Sequence, residues 1–352
     1  METIIRQVRE DSINKEVISE ASKVLQEGGI VAIPTETVYG LAGDALSSEV
    51  SHKIYEAKGR PSDNPLIVHI SSVDDLYKLA KKVPEEALKL ADKYWPGPLT
   101  MVLEKSELVP DTITGGLSTV AIRMPNNKIV LDLISESGIY LAAPSANTSG
   151  KPSPTTAEHV IADLSGKIDM IIDGGKVGIG IESTIVDLTS EVPVILRPGF
   201  ITKKDLEEVV GDVEIDKAIL QKNSNKGFVP KAPGMKYKHY APKADMAIVL
   251  GDDDVVIDKI NQLAQDKMKE CKVGIIATTQ TADKYIQGVE VKIVGSRENE
   301  ATIANGLYSV LREFDKTDVE FIYSEGFVED ELGQAIMNRL FKAAGHNVMD
   351  LR

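Results

Sequence analysis

The stretch AKGRPSDNPLIVHI, residues 57–70, contains the end of a helix, a turn and a buried strand in one short span. Apolar residues recur at helical spacing up to Lys58, and Gly59 can adopt the left-handed conformation that ends a helix. Leu66 to Ile70 is then an apolar run of strand length, preceded by Pro65. Helix and strand signals alternate in this way along the chain, which predicts an α/β protein.

Strands dominate the first two hundred residues. A buried strand is predicted at Ile30–Pro34, and Thr35–Gly40 after it is predicted to be a loop. Further strands are predicted at residues 99–103, 119–123, 139–142, 168–173, 183–187 and 192–196. So many strands among few helical patterns favour a twisted mixed sheet with flanking helices in this part of the chain.

The pattern changes in the last third of the chain. Periodicity fades between residues 211 and 243, and strands and helices alternate regularly from Met246 onward. This alternation predicts a small Rossmann-like α/β/α domain, but without a Gly-x-Gly-x-x-Gly motif dinucleotide binding is unsupported. The predicted organisation is a first domain at residues 1–210, a linker at 211–243 and a second domain at 244–352.

The composition excludes several classes of protein. With 40 Lys and Arg against 54 Asp and Glu, the net charge of −14 disfavours the wrapping of nucleic acid. There is no apolar run long enough to cross a membrane, and the first residues lack the layout of a secretory signal, so a cytoplasmic location is expected. Cys271 is the only cysteine, which excludes disulfide frameworks and paired-thiolate zinc sites. We expect it to be a packing residue.

Four cationic residues stand where they could hold an anion. Lys58 and Arg60 lie at the turn after a helix, and Arg123 and Arg197 each follow an apolar strand. A guanidinium group presents several donors to a carboxylate or phosphate. The turn of small and hydroxylated residues at Ala143–Gly150 would let a ligand approach the backbone closely. These features predict an anion site, with phosphate as the expected ligand, although the chain has no P-loop motif.

Each of these signals also has a simpler interpretation. Basic residues often end helices as solvated charges, and His69 in an apolar strand could be an ordinary core histidine. The segment Glu182–Thr184 could be a solvated strand edge, and the glycine-rich Asp173–Gly180 could be a flexible turn. The individual residues therefore do not settle the function.

Six motifs in a fixed order carry a family resemblance. They are TETVYGL at residues 35–41, AKGR at 57–60 with NPL at 64–66, APSAN at 143–147, ESTIVD at 182–187, LRPG at 196–199 and PGMKY at 233–237. Together they resemble the threonylcarbamoyl-AMP synthases in their longer form, in which a linker joins a YrdC-like domain to a Rossmann-like domain. The resemblance covers nearly the whole chain, and residues 332–340 are similar to the family's last helix.

The resemblance implies an enzyme, a nucleotidyltransferase. The family converts L-threonine, bicarbonate and ATP into threonylcarbamoyl-AMP, pyrophosphate and water, and the product serves threonylcarbamoyladenosine formation in tRNA. Mg²⁺ is expected on the phosphates of ATP, without a metal site built by the protein. The implied partners are the downstream tRNA threonylcarbamoyl transferase and, weakly, tRNA itself. No membrane is implied.

The residue roles implied by the resemblance fall into three groups. The catalytic residues would be Lys58, Arg60, Ser145 and Asn147. L-Threonine would be bound by Thr37, His69, Arg123, Ala143 and Ser183, with Arg123 on its carboxylate. ATP would be bound by Arg60, Asn64, Thr119, Ser145, Ser153, Arg197 and Tyr237. The linker residues Lys236–Tyr240 would fold over the cleft as a lid.

Two other functions remain open. A carbamoyl-transfer enzyme of hydrogenase maturation has a similar YrdC-like part, but it also carries cysteine-rich zinc fingers, which a chain with one cysteine lacks. A non-catalytic module that binds tRNA or double-stranded RNA is the alternative from another class. Release of pyrophosphate from ATP only when threonine and bicarbonate are both present would distinguish the synthase from such a module.

Overall fold

The computed structural model describes residues 2–220 and 239–352, which divide into two compact units. The first unit consists of the described residues of Met1–Ser149, Ser153–Gly178 and Glu182–Lys236. The second consists of Gly150–Pro152, Ile179–Ile181 and the described residues of Tyr237–Arg352. Two short segments from the first two hundred residues thus group with the C-terminal unit, which periodicity along the sequence could not reveal.

The first unit contains a long sheet with helices around it. Its strands are β1 (Ile4–Gln7), β2 (Val31–Pro34), β3 (Tyr39–Asp44), β4 (Ile67–His69), β5 (Leu99–Glu104), β6 (Thr119–Arg123), β7 (Leu141–Ala142), β8 (Met170–Asp173), β9 (Thr184–Asp187), β10 (Val194–Arg197) and β11 (Glu214–Ile215). Its helices are α1 (Lys15–Gln26), α2 (Ser48–Lys58), α3 (Leu76–Leu79), α4 (Glu85–Tyr94), α5 (Asp111–Thr114), α6 (Lys128–Ser137), α7 (Ala157–Leu164), α8 (Lys203–Val210) and α9 (Lys217–Leu220).

The sheet of the first unit is mixed. Its strand order is β1-β8-β2-β3-β7-β4-β6-β5-β9-β10-β11. The pairs β4–β6 and β5–β9 are parallel, whereas β2–β3, β4–β7 and β5–β6 are antiparallel. The predicted mixed sheet is therefore confirmed.

Apolar side chains cover both faces of this sheet. Successive residues of a strand point to opposite faces. Accordingly, Leu41 of β3 belongs to the buried cluster that includes Ile54 of α2, whereas its neighbour Ala42 belongs to the cluster that includes Leu25 of α1 and Leu133 of α6. Burial on both sides explains why the strands are apolar runs instead of alternating patterns.

The turn after α2 forms as the sequence predicts. The side chain of Ser47 accepts a hydrogen bond from the Val50 amide at the start of the helix. At the other end, Gly59 adopts φ 60° and closes the helix in the left-handed conformation. The Arg60 amide then donates to the carbonyl of Tyr55 at 2.9 Å. This cap fixes the direction in which Lys58 and Arg60 leave the helix.

One prediction for the first unit was wrong in detail, and two of its helices were not predicted. The loop predicted at Thr35–Gly40 ends earlier, because β3 begins at Tyr39. The glycines of β3 made this segment resemble a loop in the sequence. A Cβ at Gly43 would lie 2.4 Å from Cγ1 of Val50, so the close packing of α2 on the strand requires a glycine there. Helices α6 and α7 were also missed, although Asn127 caps α6 in the ordinary way.

The second unit is a smaller, parallel sheet between helices. Its elements are β12 (Asp245–Leu250), α10 (Asp253–Lys267), β13 (Val273–Thr278), β14 (Glu290–Gly295), α11 (Glu300–Phe314), β15 (Phe321–Glu325), α12 (Glu331–Ala343) and β16 (Val348–Asp350). The order is β14-β13-β15-β12-β16, and each of these pairs is parallel. The predicted Rossmann-like α/β/α domain is confirmed.

Two further features complete the description. Short 3₁₀ helices lie at Val73–Asp75 and Ala282–Lys284. Cys271, expected to be a packing residue, is a half-buried free thiol directly before β13. Across residues 2–220 and 239–352, helices with the length and apolar content of a membrane span are absent.

Candidate active site

Lys58 is the last residue of α2 and is 1% exposed. Its Nζ donates to the carbonyl oxygens of Ser145 and Asn147, the latter at 2.6 Å. The amide of Ser149 donates in turn to the Lys58 carbonyl at 2.8 Å. The small-residue turn therefore wraps the end of the helix, and Lys58 is not a solvated charge at a helix end.

The turn around Lys58 is tied to the start of β3. The Leu41 amide donates to the Pro144 carbonyl at 2.8 Å, and the Ala146 amide donates to the Tyr39 carbonyl at 2.7 Å. Thr37 lies two residues ahead of Tyr39 in the same chain segment. These backbone hydrogen bonds therefore fix the turn around Lys58 relative to the loop that contains Thr37.

Arg60 and Asn64 lie together in the segment that follows α2. Arg60 Nη2 donates to the Pro65 carbonyl at 3.1 Å and, more weakly, to the Asn64 carbonyl at 3.4 Å. The Asn64 side chain is 2% exposed, and its Oδ1 has no hydrogen-bond partner among the described residues. A buried acceptor in this state costs about 1–3 kcal/mol and is a natural contact for a ligand donor.

Arg123 is the last residue of β6 and is 4% exposed. Its Nη1 donates to Oγ1 of Thr37 at 2.9 Å, and its Nε donates to the carbonyl of Gly97 at 3.2 Å. Its Nη2 lies 2.7 Å from Oε2 of Glu36, forming an ion pair. Sequence reasoning missed Glu36, although the residue stands inside the first family motif beside Thr37.

His69 lies beside Arg123, because β4 and β6 are parallel and these two residues are register partners. The imidazole is 3% exposed, and Nδ1 lies 3.2 Å from the Ile67 carbonyl. Burial and, second, the positive charge of Arg123 lower the pKa of His69 to about 3. The ring is therefore neutral at physiological pH and offers hydrogen bonds without charge.

Arg197 and Ser183 meet where β10 ends and β9 begins. Arg197 Nε donates to the Ser183 carbonyl at 3.0 Å, and Nη2 donates to Ser183 Oγ at 3.1 Å. Ser183 Oγ also lies 2.8 Å from Oγ1 of Thr100. Glu182, Ser183 and Thr184 are all buried, so the interpretation of this segment as a solvated edge was wrong.

The remaining predicted residues occupy separate positions. Ala143 is buried, and its amide donates to the Ile67 carbonyl at 2.9 Å. Ser153 donates from Oγ to Oε1 of Glu182 at 2.6 Å. Thr119 lies at the opposite end of β6 from Arg123. Tyr237 lies outside the described residues.

Most of the predicted lid cannot be placed either, because Lys236–Lys238 lie outside the described residues. His239 and Tyr240 belong to the second unit. Tyr240 is buried, with φ 66°, and its ring centroid lies 5.1 Å from that of Tyr308 in the same unit. The lid therefore stays a prediction.

Part of the predicted set forms one path of contacts, which runs from Arg123 through Thr37 to the turn around Lys58. Thr37 joins its two parts, since it bonds Arg123 on one side and is close in sequence to the backbone that holds the turn around Lys58. The path combines the cations Arg123 and Lys58 with the hydroxyl of Thr37, which suits the binding of anions beside neutral polar groups. The path includes one carboxylate that sequence reasoning did not place, Glu36.

Comparison with known proteins agrees with this architecture. Residues 23–199 match the telomere recombination family (Sua5, YciO, YrdC), and residues 201–345 match the threonylcarbamoyl-AMP synthase C-terminal domain. The chain is 50% identical over 349 residues to the threonylcarbamoyl-AMP synthase of Pyrococcus abyssi, covering 99% of each chain. It is 48% identical to the synthase of Bacillus subtilis, covering 96% of each. The crystal structure of P. abyssi Sua5 complexed with L-threonine superposes with a TM-score of 0.93 at 48% identity, over 99% of this chain and 100% of that one.

The fold and the site define a two-domain α/β protein whose first domain has the YrdC-like architecture. Both family models match in the order expected for the long form, and the similarity to the two synthases extends over nearly the full length of all three chains. The chain belongs to the threonylcarbamoyl-AMP synthase family.

Proposed function

We propose that this protein is an L-threonylcarbamoyladenylate synthase, a nucleotidyltransferase that converts L-threonine, bicarbonate and ATP into threonylcarbamoyl-AMP, pyrophosphate and water. The observation that carries the proposal is the buried Lys58, held by backbone carbonyls beside the segment of Arg60 and Asn64. The supporting comparison is 38–50% identity to enzymes of this name over at least 95% of the chain.

The chemistry needs fixed positive charge. Threonine carbamate and the phosphates of ATP are both anions, and their approach is opposed in water. Cations held in a partly dehydrated site reduce this repulsion and stabilise the pyrophosphate that leaves. The backbone contacts of Lys58 hold its charge in place before the substrates bind, so the site does not have to reorganise during the reaction.

On the threonine side, Arg123 would hold the carboxylate of the amino acid, with Thr37, Ser183, Ala143 and His69 around it. A neutral imidazole is suited to the side-chain hydroxyl of threonine, because it adds hydrogen bonding without a second charge beside Arg123. A site that hydrogen-bonds a hydroxyl discriminates strongly against amino acids that lack one.

On the nucleotide side, ATP would contact the residues predicted for it, which are Arg60, Asn64, Thr119, Ser145, Ser153, Arg197 and Tyr237. Mg²⁺ would enter on the phosphate oxygens of ATP and neutralise part of their charge. Among the described residues the Oδ1 of Asn64 has no hydrogen-bond partner, and as a neutral oxygen it is of the kind that Mg²⁺ accepts, so Asn64 would be a protein contact of an ion held mainly by ATP.

The product is a reactive mixed anhydride, which hydrolyses unless it is passed on. Its proposed recipient is a tRNA threonylcarbamoyl transferase, with weak binding of tRNA as a further proposal. A cytoplasmic location stays a prediction.

The test uses purified full-length protein with ATP and Mg²⁺. We expect pyrophosphate release only when L-threonine and bicarbonate are both present, together with a product of the mass of threonylcarbamoyl-AMP. RNA binding without pyrophosphate release under these conditions would favour the non-catalytic RNA-binding module and contradict the proposed function.

A further inference from the structure

Glu36 contributes an acidic group to the part of the site where threonine is proposed to bind. Its side chain is 13% exposed, and both carboxylate oxygens are shielded from solvent. Oε2 lies 2.7 Å from Nη2 of Arg123. Oε1 has no hydrogen-bond partner among the residues that the structure describes. One oxygen of Glu36 is therefore engaged with a cation, and the other is an unsatisfied acceptor.

Arg123 is engaged in a similar, incomplete way. Its Nε and Nη1 donate to Gly97 and Thr37, and its Nη2 faces Glu36 without a hydrogen bond of good geometry. A guanidinium has five N–H groups, so the contacts seen in the described chain leave donors for a ligand. Arg123 therefore has N–H donors available for a ligand, and the Oε1 acceptor of Glu36 lies directly beside them.

This arrangement is complementary to a free α-amino acid. An amino acid at neutral pH carries a carboxylate and an ammonium group on the same carbon atom, so its two charges are close together and opposite. A lone Arg123 would recognise any small carboxylate. An Arg123–Glu36 pair would recognise both charges at once, and the two opposite charges of the pair compensate each other when no ligand is bound.

We infer that Glu36 is a substrate-binding residue that accepts a hydrogen bond from the α-ammonium group of L-threonine before the amine is carbamoylated, and so selects amino acids over hydroxy acids. The inference rests on the proposed threonine site around Arg123. Glu36 would supply the selection of the amine, whereas Arg123 alone would supply affinity for the carboxylate.

A purely structural role for Glu36 predicts something different. In that case the carboxylate only holds the guanidinium in position, and its loss weakens every carboxylate ligand of Arg123 to the same extent. The two roles are separated by a pair of ligands that differ only in the amine. L-Threonine and its 2-hydroxy analogue, in which a hydroxyl replaces the ammonium group, form such a pair.

The experiment measures the dissociation constants of both ligands by calorimetry, with the full-length wild type, Glu36→Gln and Glu20→Gln. Glu20 is the matched control, because it pairs with Arg6 at 2.8 Å on the surface of the same unit. We expect wild type and Glu20→Gln to prefer L-threonine by about ten- to a hundredfold, as a charge-assisted hydrogen bond provides. Glu36→Gln should lose most of this preference through weaker binding of L-threonine, with the hydroxy acid little affected.

Three results would overturn the inference. These are an equal loss of affinity for both ligands in Glu36→Gln, an unchanged preference, and tighter binding of L-threonine, which would make Glu36 a competitor for Arg123. If Glu36→Gln does not fold, as judged by thermal melting, the wild type alone provides the test. Equal affinity of the wild type for the two ligands would then refute the role of Glu36.

The outcome is separable from the proposed function. A wild type that binds L-threonine selectively but forms no threonylcarbamoyl-AMP, with the selectivity lost in Glu36→Gln, would refute the function and leave Glu36 as the ammonium contact. An active wild type whose Glu36→Gln variant keeps its preference would refute the role of Glu36 alone.

Discussion

Burial of His69 should make the folded protein sensitive to acid. Its pKa is about 3 in the folded chain against 6.5 for the free group, so between these values the unfolded chain binds a proton that the folded chain does not. The free energy of unfolding should therefore fall as the pH is lowered from about 6.5 toward 3, by up to about 1.4 kcal/mol per pH unit from this one residue.

Denaturant unfolding of wild type and His69→Gln at several pH values checks this expectation. The variant should show a smaller slope of stability against pH in this window. His52→Gln, which changes an exposed histidine of α2, should keep the wild-type slope. Identical slopes in all three proteins would show that His69 is protonated as readily in the folded state as in the unfolded one.

Arg60 offers a test of the nucleotide side. Arg60→Ala removes a fixed cation from the proposed path of the phosphates, and we expect the rate of pyrophosphate release to fall by about two to three orders of magnitude. The melting temperature should change little, because Arg60 is only half-buried. Arg6→Ala, at an exposed arginine of β1, serves as the control. A wild-type rate in Arg60→Ala would exclude Arg60 from catalysis.

The contact between α2 and β3 depends on the absence of a side chain at one position, Gly43. A Cβ at Gly43 would lie 2.4 Å from Cγ1 of Val50 and 3.2 Å from side-chain atoms of Ile30 and Ile54. We expect Gly43→Ala to lower the free energy of unfolding by about 1–3 kcal/mol, since the helix must move outward. Because α2 ends at Lys58, the same change should reduce activity.

A second glycine provides the control for this prediction. The φ angle of Gly178 is outside the left-handed range, and the nearest atom to a Cβ there would be the Glu36 carbonyl oxygen at 4.0 Å. Gly178→Ala should therefore leave the unfolding midpoint close to that of the wild type. Equal stability of Gly43→Ala and Gly178→Ala in urea would mean that the packing at β3 adapts without cost.

The elements that could be predicted are those whose local signals agree. Helix α2 has a serine cap, an apolar stripe and a closing glycine, and β4 is an uninterrupted apolar run. Strand β3 could not be predicted, because glycine is unusual in strands. The close packing of α2 requires Gly43, and this tertiary contact is not visible in the local sequence. Helix α6 could have been predicted, since Asn127 and the apolar spacing after it are both visible in the sequence.

The candidate site divides in the same way. The sequence motifs identify which residues belong to the site, and the positive charges of Lys58 and Arg123 already indicate that they bind anions. Their partners could not be read from the sequence, because Lys58 bonds backbone carbonyls some ninety positions away, which any residue type could supply. The ion pair of Glu36 was hidden for a related reason, since a single carboxylate in a loop is normally solvated.

Each of the two units has its own hydrophobic core, so they can unfold in separate transitions. We expect L-threonine at a hundred times its dissociation constant to stabilise the first unit by about 2.7 kcal/mol and to leave the second unchanged. Differential scanning calorimetry with and without threonine provides the measurement.

Two variants assign the transitions. Gly43→Ala should lower only the transition of the first unit, and Ile260→Ala, which removes a fully buried side chain from the core of the second, should lower only the other. Stabilisation of the transition that Ile260→Ala lowers would contradict a threonine site confined to the first unit. A single transition, shifted by both variants, would show that the units unfold together.

His69 and Arg123 are register partners on adjacent parallel strands. Their spacing is thus set by the backbone ladder, at about 4.8 Å between strands, and a change in a nearby loop cannot alter it. Directed evolution toward a different amino acid should therefore leave these two positions untouched and concentrate its libraries on the residues that approach them from loops. Substrate contacts made by residues of the sheet would then change slowly in evolution, whereas contacts made by loop residues could change rapidly.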